Sequence, residues 1–172
     1  MDREQLQAVQ KPIKERYRRE PDTARLTLRA EGHLDQQDIA CSVATGRALV
    51  QAGLHPATGG SGALACSGDM LLQALVACAG VTLRSVATAL QIPVTGSVRA
   101  EGDLDFRGTL GVARDGETAV GFGAIRLSFE LEGDATEEQL ATLMRLTERY
   151  CVVYQTLADG VPLSVSRANP GR

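Results

Sequence analysis

Hydrophobic and polar positions follow two periods along this chain, and the switches between them mark its elements. From Ala24 to Glu31, Leu26, Leu28 and Ala30 alternate with Arg25, Thr27, Arg29 and Glu31, which predicts a half-buried strand. Ile39 to Val50 reads as further strand, broken by Gly46, and the glycine-rich stretch from Gly53 to Gly62 as a loop. Ahead of these, residues 3–19 are polar and rich in helix formers. Pro12 allows either two short helical pieces or a helix that begins at Pro12, where a missing N–H costs little. From Gly68 to Leu90 the period changes. Between Met70 and Thr82 the only polar side chain is Gln73, so a helix apolar nearly all round its first three turns is expected, buried on most sides. Ser67 is placed to cap it, and Asp69 suits the positive end of its dipole.

The second half alternates again. Val94 to Leu110 and Ala119 to Glu132 read as strands. In the second of these, Ile125, Leu127, Phe129 and Leu131 interleave with Arg126, Ser128, Glu130 and Glu132. The Arg114-Asp115-Gly116-Glu117 turn between them predicts an antiparallel hairpin. Thr136-Glu137-Glu138-Gln139 has the form of a capping box. The helix it opens carries Leu140, Leu143, Met144, Thr147, Cys151 and Tyr154 on one stripe, ends at Asp159-Gly160, and is followed by a short strand from Val161 to Ser166. Strands, helix, strands, helix and strand make an α+β fold. The chain divides into an N-terminal helical extension, 1–23, and a single domain, 24–172.

Composition narrows the partners. A hydrophobic share of 44% in 172 residues suits one globular domain, and no run of 18 uninterrupted apolar residues is present. Met1-Asp2-Arg3-Glu4-Gln5 is not the start of a secretory leader, so a cytoplasmic protein with no membrane partner is expected. The basic run from Lys11 to Arg19 is interrupted by Glu15 and reads as a solvated helix face. With three Phe, three Tyr and no Trp, no stacking platform for single strands is visible, and no nucleic-acid partner is expected.

The four cysteines, at 41, 66, 78 and 151, contain no Cys-x-x-Cys pair, and His33 and His55 lack zinc-finger spacing. Redox chemistry or inert burial remain. On an ideal helical wheel Cys78 shares a stripe with Leu71, Leu75 and Thr82. Burial there raises a thiol pKa and makes it inert unless something compensates. A small core hydrophobe is the plain alternative for each cysteine.

The stretch Ser67–Val86, with Ala77-Cys78-Ala79-Gly80 and Thr82, resembles the first cysteine motif of the OsmC/Ohr family. Cys151 with Val153-Tyr154-Gln155-Thr156-Leu157 resembles the second, and the Gly59-Gly60 loop and the order of elements fit as well. The resemblance covers the chain from about residue 24 onward. It implies antiparallel sheets packed around a long central cysteine-bearing helix, in an intertwined homodimer. It also implies a thiol-dependent peroxidase acting on organic hydroperoxides. Cys78 would be oxidised to a sulfenic acid and Cys151 would close a Cys78–Cys151 disulfide. An external dithiol, such as a lipoyl protein, would reopen it, with neither metal nor flavin as cofactor.

By the same resemblance, the thiolate takes an arginine held by an acidic residue near the start of the central helix. Arg47 is the candidate, with Arg25 and Arg29 as rivals, and each could equally sit on the wet face of a strand. Asp69 is the acidic candidate, although nine residues place it about half a revolution from the Cys78 face, and dipole stabilisation is its other reading. Many relatives have Pro directly after the second cysteine. Val152 stands there in this chain, so the helix is expected to run smoothly through Cys151. Two other readings use the same residues: a non-enzymatic dimeric small-molecule-binding protein with packing cysteines, and a persulfide-handling thiol enzyme.

Overall fold

A computed structural model describes residues 3–34, 41–43, 52–63 and 65–166. Helix α1 (Arg3–Arg19) is one helix running through Pro12. Proline forfeits one N–H bond mid-helix, but the second half is pinned by Tyr17, which is fully buried and donates its hydroxyl to the Ala57 carbonyl at 2.7 Å. Strands β1 (Arg25–Leu34) and β2 (Cys41–Val43) follow, then a parallel two-residue pair, β3 (Ala52–Gly53) with β4 (Ala65–Cys66). Helix α2 (Ser67–Ala89) leads into β5 (Thr95–Asp105), the single turn α3 (Phe106–Thr109) and β6 (Phe122–Glu132). Helices α4 (Glu137–Tyr150) and α5 (Val152–Asp159) complete the described elements.

The main sheet is antiparallel with strand order β2-β1-β5-β6. Its β5–β6 register slips between Asp103 and Leu104, which pair with Ala124 and Phe122 and leave Gly123 as the extra residue of a bulge. The alternation read in β6 is present: Ile125, Leu127, Phe129 and Leu131 are half-buried and their neighbours exposed. The strand expected to reach Leu110 stops at Asp105. The Asp105 carboxylate accepts the Arg107 N–H at 3.0 Å and starts α3 instead. The Arg107 side chain, 4% exposed, closes on Asp105 and Glu117, tying α3 to the 114–117 turn.

Leu72, Leu75, Val76, Ala79, Leu83 and Ala87 form the buried stripe of α2. They pack against Val98 and Ala100 of β5 and Leu143 of α4 in the main core. The steps of three and four residues are those of an amphipathic helix, so a single chain buries one face, not most sides. Met70, Leu71 and Val81 are each more than a third exposed. By length and mean hydropathy, 1.6, α2 would also suffice to cross a bilayer; here its buried stripe is the centre of the domain. Cys66, not Ser67, is the residue that caps α2. The capping box at Thr136 and Gln139 is formed in both directions. Residues 161–166 are not a strand and pair with none of the described strands, and Val161, Leu163 and Val165 are exposed.

Candidate active site

The helix expected to run through Cys151 breaks there. Cys151 has an extended backbone, φ −73° and ψ 104°, and ends α4 while opening α5. Val152 and Val153 are β-branched and contribute little helix propensity of their own, and several of the backbone groups at the break find partners. The Cys151 N–H reaches the Thr147 carbonyl at 2.9 Å, and the Gln155 N–H reaches the Cys151 carbonyl at 2.9 Å. The Gln155 side-chain amide donates to the Glu148 carbonyl at 2.8 Å. Cys151 Sγ accepts the Tyr154 N–H at 3.4 Å, a sulfur serving as helix N-cap.

The break turns the first N–H groups of α5 toward α2. Cys78, half-buried, lies against them. It accepts from the Val153 and Val152 N–H groups, from the Cys151 thiol and from the Thr82 hydroxyl one turn along its own helix. The largest single influence on Cys78 is burial, which raises its pKa, but the four hydrogen bonds together outweigh it and leave the thiol below its ordinary value. The start of a helix favours an anion for the same reason: unpaired N–H groups and the positive end of the dipole converge on it. Cys151 is its opposite. Burial, reinforced by its bond to Cys78 and by the charge there, pushes its thiol up to about 11, against the N–H groups of Tyr154 and Val153. The two thiols are thus shifted in opposite directions, Cys78 below its ordinary value and Cys151 above it.

Apolar space adjoins the pair. A cleft of about 540 Å³ is lined by Leu71 and Leu75, on the Cys78 stripe, by Phe122 and Ile125 of β6, and by Tyr154 and Leu157 of α5. A smaller cavity of about 190 Å³ has Cys151 and Thr147 in its wall.

The folding of the chain therefore brings Cys78 and Cys151 together from distant positions. Asp69 stands apart, in the first turn of α2, about 13 Å along the axis from Cys78 at the helical rise. There burial raises its carboxyl pKa while His55 pulls it back. Arg25 pairs with Asp22 at 3.0 Å and with Asp105 at 3.9 Å, and is largely exposed. Arg47 lies outside the described residues, as does most of the strand expected from Ile39 to Val50; of Arg29 only the backbone, paired with Glu101, is described. Cys66 is half-buried at the start of α2, and Cys41 opens β2. Reading the sequence missed the Val152 and Val153 N–H groups and Gln155. The four-residue spacing of Cys78 and Thr82 was the one local signal for a donor to the thiolate; the others depend on where the chain breaks.

The sequence profile described as OsmC-like protein matches residues 60–166, which hold α2, both thiols and α5. Among solved structures, the crystal structure of an OsmC-like hydroperoxide resistance protein from Jannaschia sp. CCS1 is similar, with a TM-score of 0.52 and 16% identity, over 86% of this chain and 95% of that one. At that identity the likeness speaks for the fold. No curated protein sequence matches.

Proposed function

The chain belongs to the OsmC-like family, and on that premise we propose that it is a thiol-dependent peroxidase that reduces organic hydroperoxides, with Cys78 as nucleophile and Cys151 as resolving thiol. The observation that carries this reading is the contact between a thiol held low and a thiol held high in pKa. A nucleophile needs its thiolate at neutral pH, and a resolving partner has to stay protonated until it is needed.

The Cys78 thiolate attacks the distal oxygen of R–O–O–H. The O–O bond breaks, the alkoxide takes up a proton and leaves as alcohol, and Cys78 carries the sulfenic hydroxyl. That step removes the negative charge that helps hold the Cys151 proton in place, so Cys151 becomes easier to ionise when it is required to attack. Its sulfur displaces hydroxide from Cys78, water leaves, and the disulfide closes. A dithiol, of the chemistry a lipoyl group has, then reduces it in two exchange steps and is itself oxidised to a disulfide. No metal, flavin or other cofactor takes part.

The active unit in this reading is a cytoplasmic homodimer. Support comes from the exposed faces of α2 at Met70, Leu71 and Val81, and from the tail, whose Val161, Leu163 and Val165 have strand alternation without a strand partner among the described residues.

The test is peptide-mass mapping after one equivalent of cumene hydroperoxide, beside Cys78→Ser and Cys151→Ser. The expected result is a Cys78–Cys151 disulfide with matching peroxide loss, absent in Cys78→Ser. In Cys151→Ser, Cys78 is expected to accumulate as sulfenic acid, trapped by dimedone. Unmodified thiols with unchanged peroxide would overturn the reading in favour of a binding protein on this fold.

A further inference from the structure

Thr147 is 1% exposed, and its hydroxyl has no hydrogen-bond partner among the described residues. A buried hydroxyl without a partner is among the costlier defects a fold can carry, and native proteins rarely leave one without a ligand or water to meet it. This one lines the cavity of about 190 Å³ beside Cys151. Ile125, Leu127 and Phe129 from β6, with Met144 from α4, supply its apolar walls, and Glu148, Cys151 and Tyr154 complete the lining. Ordered water asks for two to four polar partners at a site. Besides the Thr147 hydroxyl, the lining offers the Cys151 thiol, already committed to Cys78, the half-buried Tyr154 and the exposed Glu148. With the rest of the lining apolar, a molecule with an apolar body and one hydrogen-bonding group matches such walls.

The cavity adjoins the larger cleft: Ile125, Leu127 and Tyr154 line both, so the two make one trough whose smaller end holds the buried Thr147 hydroxyl. Charge at that end selects further. Glu148, exposed, is part of the cavity wall, and the carbonyl end of α4 lies beside it. Both disfavour an anion.

We propose that this trough is a binding site for a neutral alcohol with an apolar chain, whose hydroxyl pairs with Thr147 and whose chain lies along the cleft. The site stands on the cavity and the buried hydroxyl, independently of any peroxidase activity. Where the peroxidase reading also holds, the alcohol released from a hydroperoxide is a ligand of this kind, and the site is one for product.

Calorimetric titration of the reduced protein with 1-octanol and with octanoate tests the proposal. Octanol is expected to bind at least tenfold more tightly than octanoate, and Glu148→Gln to narrow that gap. Thr147→Val, which keeps shape and removes the hydroxyl, is expected to be at least as stable as the parent while losing about tenfold in octanol affinity; Thr147→Ser is expected to retain it. Equal octanol affinity in Thr147→Val, no octanol binding to the parent, or octanoate binding as well as octanol would each overturn the proposal. Should Thr147→Val fail to fold, the octanol-to-octanoate contrast in the parent and in Glu148→Gln still decides. The titrations contain no peroxide, so a chain that binds octanol but consumes no hydroperoxide counts against the functional reading alone.

Discussion

Two cysteines in this chain stand at helix starts, and only one of those starts activates a thiol. Cys66 caps the 23-residue α2, yet its side chain makes no capping hydrogen bond. Cys151 caps the eight-residue α5 and does make one, to the Tyr154 N–H. The thiol whose pKa is lowered at that second start is neither cap: it is Cys78, brought across from α2 to meet the Val152 and Val153 N–H groups. A longer helix has no advantage here, because dipole effects are confined to the terminal turn. What matters is whether tertiary packing sets a sulfur in front of the free N–H groups. The α2–α5 packing does so, and at the start of α2 the cap residue is left to do without.

The sharpest way to break this comparison is to remove one sulfur at a time. Cys78→Ser is expected to lower hydroperoxide turnover by about a thousandfold or more, whereas Cys66→Ser stays within about twofold, measured by peroxide loss with a dithiol in excess. A large loss in Cys66→Ser would mean that the start of α2 also matters.

A second test takes away one N–H. Val152→Pro deletes the donor at the first position of α5, where proline fits a helix without strain. The midpoint of Cys78 alkylation by iodoacetamide, followed peptide by peptide against pH, is expected to rise by about one unit.

Gln155→Leu probes the same start indirectly, by freeing the Glu148 carbonyl and loosening the break. A smaller rise, about half a unit, and a fall of a few degrees in Tm are expected from the loss of one hydrogen bond. An unchanged midpoint would separate the break from the acidity of Cys78.

The smallest effect is on stability. Cys78 has a folded pKa below the ordinary thiol value of 9.0. Its contribution is therefore complete above 9.0 and is lost as pH falls through the depressed folded value. The Tm of the parent relative to Cys78→Ser is expected to climb with pH across that window and then level off. A difference that falls over the same range would contradict the direction of the shift.

The parts of this molecule that were legible in the sequence rest on local chemistry. The β6 alternation and the Thr136–Gln139 capping box each need only neighbours in sequence, and each is where its pattern put it. The break at Cys151 was not legible. The stripe from Leu140 to Tyr154 continues straight across it, with neither Gly nor Pro to interrupt. Its partners are the side chain of Gln155, reaching back seven residues, and a sulfur on another helix. The tail errs in the other direction: Val161, Leu163 and Val165 have the strand period, but a strand needs a neighbour, and pattern alone does not supply one. Of the candidate site, the two cysteines were legible by type and setting. Asp69 was placed correctly at the helix start, and the structure puts it with His55.

In the peroxidase proposed above, the unequal pKa values of Cys78 and Cys151 also govern how their disulfide couple answers to its redox surroundings. Between the depressed pKa of Cys78 and the value of about 11 for Cys151, reducing the disulfide consumes two electrons but only one proton. The midpoint potential of the couple then falls by about 30 mV per pH unit, half the slope of a dithiol that takes up both protons. A modest alkaline drift in its surroundings therefore moves this couple less than it moves a reductant with two ordinary thiols. Such a reductant gains driving force toward it as the pH rises.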